Sequence, residues 1–259
     1  MERCFAGRIR MVLIAAVATV TGVWALAAEP QTPPSVSRVS EVSTAPLTPE
    51  LRGDLAMARR QYLQAIEEYD EVPIKSAVVW NKLGMAYHHL FAMNEAKRDY
   101  QHALRLRPNY PEALNNLGAI YYAKKNYKKA EKYYRKAIAL DPKSAPIFSN
   151  LGTAYFAQSR MDRGLAAYRT AFALDPLVFQ ESSALLVNES LPIRERAQQD
   201  YCLAKLFAAA GRKQQAIDYL RRALDEGFDD RKKLLEDQTL ASLRATPEFA
   251  ELMSEQKLR

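Results

Sequence analysis

The chain has 259 residues, of which 48% are hydrophobic and 26% are charged, which is enough for one sizeable folded body. Nine glycines are few for a β-rich fold. The formal net charge of +7 falls to +5 when residues 1–27 are removed, because they contain three arginines and one glutamate. Such a mildly basic protein does not call for a nucleic-acid partner.

The amino end has the composition of a secretory signal. Arg3, Arg8 and Arg10 precede residues 11–28, which are uncharged and mostly apolar. Near the end of this stretch, Ala25 and Ala27 are small residues at the two positions that a signal peptidase reads. We therefore expect residues 1–27 to be a signal peptide, cleaved after position 27 or 28. An uncleaved anchor is the alternative, since about 18 apolar residues can just span a bilayer. Both interpretations place the folded body outside the cytoplasm.

Residues 28–49 predict a disordered linker, because five prolines lie among serines and threonines with no apolar period. Cysteine usage fits a body without disulfides. Cys4 lies in the predicted signal, which leaves Cys202 without an intrachain partner in the mature chain. Its apolar neighbours Leu203 and Leu206 indicate a buried, inert thiol.

One pattern then recurs three times, at 77–110, 111–144 and 145–178, with a period of 34 residues. The successive marks are Trp80, Leu83, Gly84, Tyr87, Ala96, Tyr100, Ala103 and Pro108; Leu114, Leu117, Gly118, Tyr121, Ala130, Tyr134, Ala137 and Pro142; and Phe148, Leu151, Gly152, Tyr155, Gly164, Tyr168, Ala171 and Pro176. Their three- and four-residue spacing predicts two helices per copy. We expect Gly84 to face Ala96, and Gly118 to face Ala130, so that the two helices approach closely. The prolines, preceded by aspartate in the last two copies, should end each second helix.

Weaker copies flank these three. Residues 50–76 form a degenerate first repeat whose Ala65 lies only 31 residues before Ala96. Residues 179–196 break the period and predict an insertion, interpreted either as a surface loop or as a projection from a binding face. Residues 197–230 resume the pattern, and residues 231–259 read as capping helices that begin at Asp237 and Thr246.

The order of marks and the 34-residue period resemble the tetratricopeptide repeat family. The resemblance implies an all-α fold, in which helical hairpins stack in a right-handed solenoid with helical caps. The final segment, DQTLASLRATPEFAELM, looks like the tail of many bacterial members. Together with the predicted signal, it indicates an exported bacterial type in the periplasm or cell envelope, anchored to the membrane through residues 11–28 if the signal is not cleaved.

In this family the first helices line a concave groove that binds peptides. Carried over by position, the groove residues here are Asn81, Lys82, Met85, His88, His89, Asn115, Asn116, Ala119, Tyr122, Ser149, Asn150, Thr153 and Phe156, continued by Gln198, Tyr201 and Lys205. Asn116 and Asn150 are equivalent and resemble an asparagine ladder that grips a peptide backbone; the alternative is that asparagine is simply common there. A carboxylate clamp is disfavoured, because Met85 replaces the required asparagine, and Pro146 and Asn150 stand where cations belong.

A basic segment follows the groove residues of the second clear copy. It contains Lys124, Lys125, Lys128, Lys129, Lys132, Arg135 and Lys136. Such a face could meet anionic lipid or an acidic polymer, but second helices face outward in this family, so a solvated convex surface is the default interpretation.

No catalytic pattern is present in the sequence. The three histidines lack an i, i+4 pair, and no phosphate-binding Gly-Lys-Ser loop or nucleophile elbow occurs. We therefore predict a protein without enzymatic activity, cofactor or metal, whose partner is another protein. It would be an adaptor, a scaffold or assembly factor of the bacterial cell envelope that binds a partner segment in the concave groove; the alternative is a binding module for an anionic polymer or membrane surface through Lys124–Lys136. Self-association is compatible with both interpretations.

Overall fold

The computed structural model describes residues 46–179 and 192–255, and within them every regular element is helical. The helices pair as antiparallel hairpins: α1 (Pro49–Ala58) with α2 (Tyr62–Asp70), α3 (Ala77–His89) with α4 (Met93–Leu106), α5 (Pro111–Ala123) with α6 (Tyr127–Leu140), α7 (Ala145–Phe156) with α8 (Met161–Leu174), and α9 (Ile193–Ala209) with α10 (Lys213–Asp225). Short helices α11 (Arg231–Glu236), a 3₁₀ turn (Gln238–Leu240), α12 (Ala241–Arg244) and α13 (Pro247–Glu255) follow.

The all-α fold predicted from the sequence is confirmed, and successive hairpins stack into a solenoid. None of the described helices is long and apolar enough to cross a membrane. The predicted signal and most of the predicted linker lie outside the described residues, as does 180–191 of the predicted insertion. The last four residues of that insertion, 193–196, belong to α9.

In the first four hairpins, the close approach of the two helices places a tyrosine ring over a glycine. A Cβ atom added to Gly118 would lie 2.6 Å from the Tyr134 ring, and one added to Gly84 would lie 2.6 Å from the Tyr100 ring. Both rings are fully buried. The aromatic ring sixteen residues after each of these glycines fills the space above it. In the third clear copy the small residue of the facing helix is close as well, since a Cβ atom on Gly152 would lie 3.2 Å from the carbonyl oxygen of Gly164. The expected pairing of Gly84 with Ala96 stays a prediction.

The same pair occurs in the degenerate first hairpin and is replaced in the last one. A Cβ atom on Gly53 would lie 2.4 Å from Tyr69, again sixteen residues later. In the last hairpin the equivalent positions hold Ala204 and Leu220, both with no exposed surface. A methyl group on the first helix is thus tolerated where the opposing side chain is smaller than tyrosine.

Each hairpin turns through one residue with a left-handed backbone. The φ angles are 60° at Arg60, 58° at Phe91, 57° at Lys125, 55° at Ser159 and 73° at Gly211. These residues lie seven positions after the glycine or alanine of each first helix. Only the last hairpin uses glycine, which adopts this conformation without the steric cost that a Cβ atom imposes.

The ends of the second helices agree with the sequence-based expectation. Helices α6 and α8 end two residues before Pro142 and Pro176. The carboxylates of the preceding aspartates accept hydrogen bonds from the backbone of the turn, at 3.2 Å from the amide of Lys143 and 2.8 Å from that of Leu177. Such local bonds stabilise a turn once proline has stopped the helix.

Candidate functional site

A row of side-chain hydrogen bonds crosses the first helices α1, α3, α5 and α7. Asn116 donates from Nδ2 to Oδ1 of Asn81 at 3.1 Å, and Asn150 donates to Oδ1 of Asn115 at 2.9 Å. Asn115 donates in turn to Oδ1 of Asn116 at 3.4 Å. The four amides therefore form one continuous chain across three helices. Each of these bonds uses part of an amide's capacity, since an asparagine side chain offers two donor hydrogens and two acceptor lone pairs.

An ion pair extends this chain to the first helix. Lys82, which is equivalent to Asn116 and Asn150, donates to Glu50 at 2.8 Å and to Asp54 at 2.7 Å. Although burial opposes the charged ammonium, the two carboxylates raise the pKa of Lys82. Sequence reasoning placed Lys82 in the groove but missed its partners. The sequence does contain a hint of this pairing. The first repeat is shortened to an offset of 31 residues, and this offset makes Glu50 of α1 equivalent to Asn81 of α3.

Six of the predicted groove residues have little surface available to a ligand. Their side chains are at most 8% exposed: Asn81 5%, Tyr122 3%, Ser149 8%, Thr153 4%, Phe156 0% and Tyr201 5%. The expectation that these residues are open to a partner is corrected, because they pack between neighbouring helices.

The buried residues of α7 show what they contact instead. The Phe156 ring lies over Gly164 of α8, where an added Cβ would come within 2.8 Å, and it also meets the Tyr168 ring. The Thr153 hydroxyl is 2.9 Å from the Tyr168 hydroxyl, which accepts a further bond from Gln199 at 2.6 Å. These contacts join two hairpins in the core, so they stabilise the fold.

The remaining predicted residues keep exposed surface. Met85 is 36% exposed, while Asn115, Asn116, Asn150 and His88 are partly exposed. Burial, with a smaller contribution from neighbouring His89, lowers the pKa of His88 to about 4, so its imidazole is neutral at pH 7. All the predicted groove residues between Lys82 and Lys205 are therefore uncharged at neutral pH.

A second ion pair lies at the other end of the row. Lys205 of α9 is 2.6 Å from Asp237, which also accepts a hydrogen bond from the Tyr201 hydroxyl at 2.9 Å. Although burial opposes ionisation of Asp237, these bonds and one from Thr239 lower its pKa. An open pocket of about 530 Å³ surrounds them. Lysine–carboxylate pairs thus lie on α3 and α9, which flank α5 and α7 in the stack, and on α3 one lysine serves two carboxylates.

The predicted basic face lies on α6 and in the turn before it. Its members are exposed, and no carboxylate among the described residues lies within 4.0 Å of its six lysines. Arg135 is the exception, at 3.9 Å from Glu131. Lys129 lies 4.3 Å above the Tyr121 ring, which stacks on Tyr133. Burial favours the neutral phenol of Tyr121, but Lys129 and Lys97 outweigh it and lower its pKa.

The described part of the chain contains no group of three or more His, Cys, Asp or Glu side chains that could hold a metal ion. The Cys202 thiol is buried at 7% exposure, and this burial raises its pKa to about 11. The histidines serve as packing rings: His89 stacks on Tyr62 with centroids 4.5 Å apart, and His102 stacks on Trp80 at 4.4 Å.

Comparison with known proteins supports the repeat pattern. Residues 75–143 match the tetratricopeptide repeat family model. No curated protein sequence matches the chain. Among solved structures, Cut9–Hcn1 of the APC/C shares 18% identity over 79% of this chain and 34% of that one, with a TM-score of 0.50, which is a likeness of fold alone.

Two further structures are less similar in backbone geometry. MamA shares 21% identity over 67% of this chain and 93% of its own, with a TM-score of 0.46. TTC0263, a thermophilic tetratricopeptide repeat protein of Thermus thermophilus, shares 18% identity over 80% of this chain and 97% of its own, with a TM-score of 0.49.

Stacked helical hairpins provide extended surfaces for binding, and tetratricopeptide repeat proteins generally bind other proteins and are typically non-catalytic. The matched residues, with the repeating hairpins on both sides of them, show that this chain contains tetratricopeptide repeats, and such repeats support a protein-binding adaptor in general.

Proposed function

We propose that this chain is an exported adaptor of the bacterial cell envelope, and that it holds an uncharged segment of a partner protein along the first helices. The observation that carries the proposal is the row of partly exposed amides at Asn115, Asn116 and Asn150, which has no formal charge between its two terminal ion pairs. A partner with a strongly charged segment would lose hydration there without gaining a counter-ion.

The row offers two kinds of contact to such a segment. The amides that bond one another retain donor hydrogens and lone pairs for a peptide backbone. Met85 adds an apolar and adaptable contact. Because the amides are already fixed by their mutual bonds, less side-chain freedom is lost when a ligand binds.

The amide bonds also determine which variants give a clear test. Removing Asn116 would leave the buried Oδ1 of Asn81 without its donor and would weaken the fold as well as the surface. Ala119 is a better site, because it lies among the carried-over groove positions of α5 and is partly exposed. Ala119→Glu adds bulk and charge while every amide bond stays in place.

The experiment is affinity capture from envelope extract with the purified chain as bait, eluted first with high salt and then with denaturant. We expect a defined protein in the denaturant step with the wild type and its loss with Ala119→Glu. Ala139→Glu, on the exposed side of α6, is the matched control and should retain it. Equal capture by both variants would contradict binding along the first helices.

The envelope location rests on the amino-terminal sequence, and it has its own test. Fractionation of the producing bacterium, followed by mass measurement of the chain, should find it outside the cytoplasm. A mass that lacks residues 1–27 or 1–28 supports cleavage, whereas an intact chain in the membrane fraction supports an anchor. An intact chain in the cytoplasm would contradict export.

A second candidate function rests on the basic face. Among the described residues, no carboxylate lies within 4.0 Å of its six lysines, and this favours contact with an anionic lipid surface. In that case the chain should bind anionic vesicles with a steep salt dependence. Lys128→Glu combined with Lys132→Glu should abolish this binding and leave capture of the partner protein intact.

A further inference from the structure

The first helix of the solenoid presents an apolar stripe to solvent. Leu51 and Leu55 are 50% and 41% exposed, and Ala58 is exposed as well. Spacings of four and three residues place these side chains on one side of α1. Leu47, just before the helix begins, is 46% exposed. We refer to Leu51, Leu55 and Ala58 as the α1 stripe.

Equivalent positions in the later hairpins are covered by the hairpin before them. The residues that correspond to Leu55 have no exposed surface: Ala86, Ile120 and Ala154. Ala58 corresponds to His89, whose ring stacks on Tyr62 of the preceding hairpin. The α1 stripe therefore lies on the side of a first helix that normally contacts another repeat.

Leu51 strengthens this comparison. Its equivalents Lys82, Asn116 and Asn150 are polar, and each bonds to the preceding hairpin. A terminal repeat ordinarily needs a polar outer face for solubility. This chain instead has leucine at the position where a repeat contacts the repeat before it, which indicates that apolar surface covers α1 in the functional protein.

The carboxylates beside the α1 stripe outnumber the cations that pair with them. On one flank, Glu50 and Asp54 share Lys82, at 2.8 Å and 2.7 Å from its ammonium nitrogen. The two carboxylate side chains are 41% and 39% exposed, so a partner could still reach them. One negative charge is left over on this flank.

The other flank repeats this arrangement. Arg52 pairs with Glu68 at 2.5 Å and also with Glu71, whose side chain is 62% exposed. Because a helix turns by about 100° per residue, Glu50 and Arg52 lie on opposite sides of Leu51. Among the described residues, the α1 stripe therefore has two carboxylates for one cation on each flank.

This excess of negative charge distinguishes between the occupants that could cover the α1 stripe. A second copy of the chain would bring like charges together, and an anionic lipid surface would be repelled. A helix with lysine or arginine on both edges of an apolar face would meet the excess carboxylates and bury the leucines. Arg59 and Arg60 follow the stripe, so the partner's cations belong beside Leu51 and Leu55.

We propose that the α1 stripe binds a basic amphipathic helix of a partner protein, whose apolar face packs on Leu51 and Leu55 and whose cations line both edges. Rows of side chains four residues apart on two helices can interdigitate in this way. The site is additional to the proposed partner-binding row on α3, α5 and α7. A ten-residue helix is about 15 Å long, so the contact is smaller than the roughly 800 Å² per partner of a stable complex. Binding should therefore be weak and reversible.

A labelled synthetic peptide and the purified full chain test the proposal. The peptide has about 14 residues, enough to cover α1, with leucine on one helix face and lysine on both edges. A matched peptide has glutamate in place of lysine. We expect fluorescence anisotropy to show that the lysine peptide binds, and that the glutamate peptide binds at least tenfold more weakly.

Three variants locate the binding. Leu51→Gln should weaken binding of the lysine peptide about tenfold, because it removes apolar contact without adding charge. Leu63→Gln is the matched control: its leucine is 68% exposed on α2, and binding should be unchanged. Glu71→Gln should weaken binding about threefold, the size of one exposed ion pair, while Arg52 keeps Glu68. Circular dichroism checks that each variant is folded.

Several results would overturn the proposal. They are failure of the lysine peptide to bind the wild type, equal binding of the glutamate peptide, or equal effects of Leu51→Gln and Leu63→Gln. Dimerisation of the chain, or its binding to anionic vesicles, that is lost with Leu51→Gln would identify a different occupant and would also count against it. Ala119→Glu should leave peptide binding unchanged, so this proposal and the partner-binding row can fail separately.

Discussion

Substitution of Gly118 by alanine tests the packing on which each hairpin depends. The new Cβ atom would lie 2.6 Å and 2.8 Å from two carbons of the Tyr134 ring, closer than real Cβ contacts. The ring is 1% exposed, so it cannot move into solvent. Either the ring or the two helices must shift.

The expected cost follows from two opposing effects. Overpacking a filled core costs roughly 1–3 kcal/mol, and the stiffness of the aromatic ring favours the upper part of that range. Alanine in place of glycine inside a helix returns about 1 kcal/mol. We therefore expect Gly118→Ala to lower the free energy of unfolding by about 1–2 kcal/mol.

The last hairpin supplies the compensating change. Because the equivalent positions there hold Ala204 and Leu220, both buried, Tyr134→Leu should relieve the clash in the Gly118→Ala chain. Urea unfolding of both single variants and the double variant measures their coupling, which should be favourable by about 1–3 kcal/mol. Additive effects, or a Gly118→Ala chain as stable as the wild type, would refute the argument that the ring occupies the space of the missing methyl group.

Three further predictions concern single residues. Phe91→Gly removes a Cβ atom from a left-handed residue and should raise the free energy of unfolding by about 1 kcal/mol, seen as a higher midpoint of thermal unfolding. Gly211→Ala adds a Cβ atom to such a residue and should lower the midpoint. The opposite order would contradict backbone strain at these positions. Burial raises the pKa of Asp99 to about 6, so the folded chain binds this proton more tightly than the unfolded one, and stability falls as pH rises from about 4 through 6. Asp99→Asn should therefore be more stable than the wild type at pH 7.5, on the order of 2 kcal/mol, and equal to it near pH 4 in urea titrations. In a Cys4→Ser chain, Cys202 should react with Ellman's reagent only after unfolding, and rapid reaction of the folded chain would contradict its burial.

The repeat marks were sufficient to predict the fold because they reflect steric constraints within short segments of the chain. Helical spacing and the proline stops depend on the backbone of one segment, which the sequence shows directly. The tyrosine that covers each glycine was not predicted, although the constant interval of sixteen residues from Gly53 to Tyr69 and from Gly118 to Tyr134 is visible in the sequence. Small residues on two facing helices predict a close approach, but they do not show which side chain fills the space beside them.

The candidate site was less predictable, since it depends on offsets between hairpins. Position alone placed Tyr122 and Phe156 toward the groove, but whether an aromatic ring faces solvent or turns into the core depends on the size of its neighbours. Gly164 leaves room that the Phe156 ring occupies. The bond from Asn116 to Asn81 likewise depends on the distance between adjacent first helices, which no single repeat encodes.

The contacts within a hairpin differ in kind from the contacts between hairpins. Glycine and tyrosine hold two helices together, whereas the amide and lysine bonds join one hairpin to the next. Such a division allows the molecule to open in steps, since each repeat contacts only its neighbours. Amide hydrogens should then exchange with solvent hairpin by hairpin, first in α1 and α2, where few residues are buried, and last near α7 and α9. A partner held across several first helices would delay the exchange of all of them together.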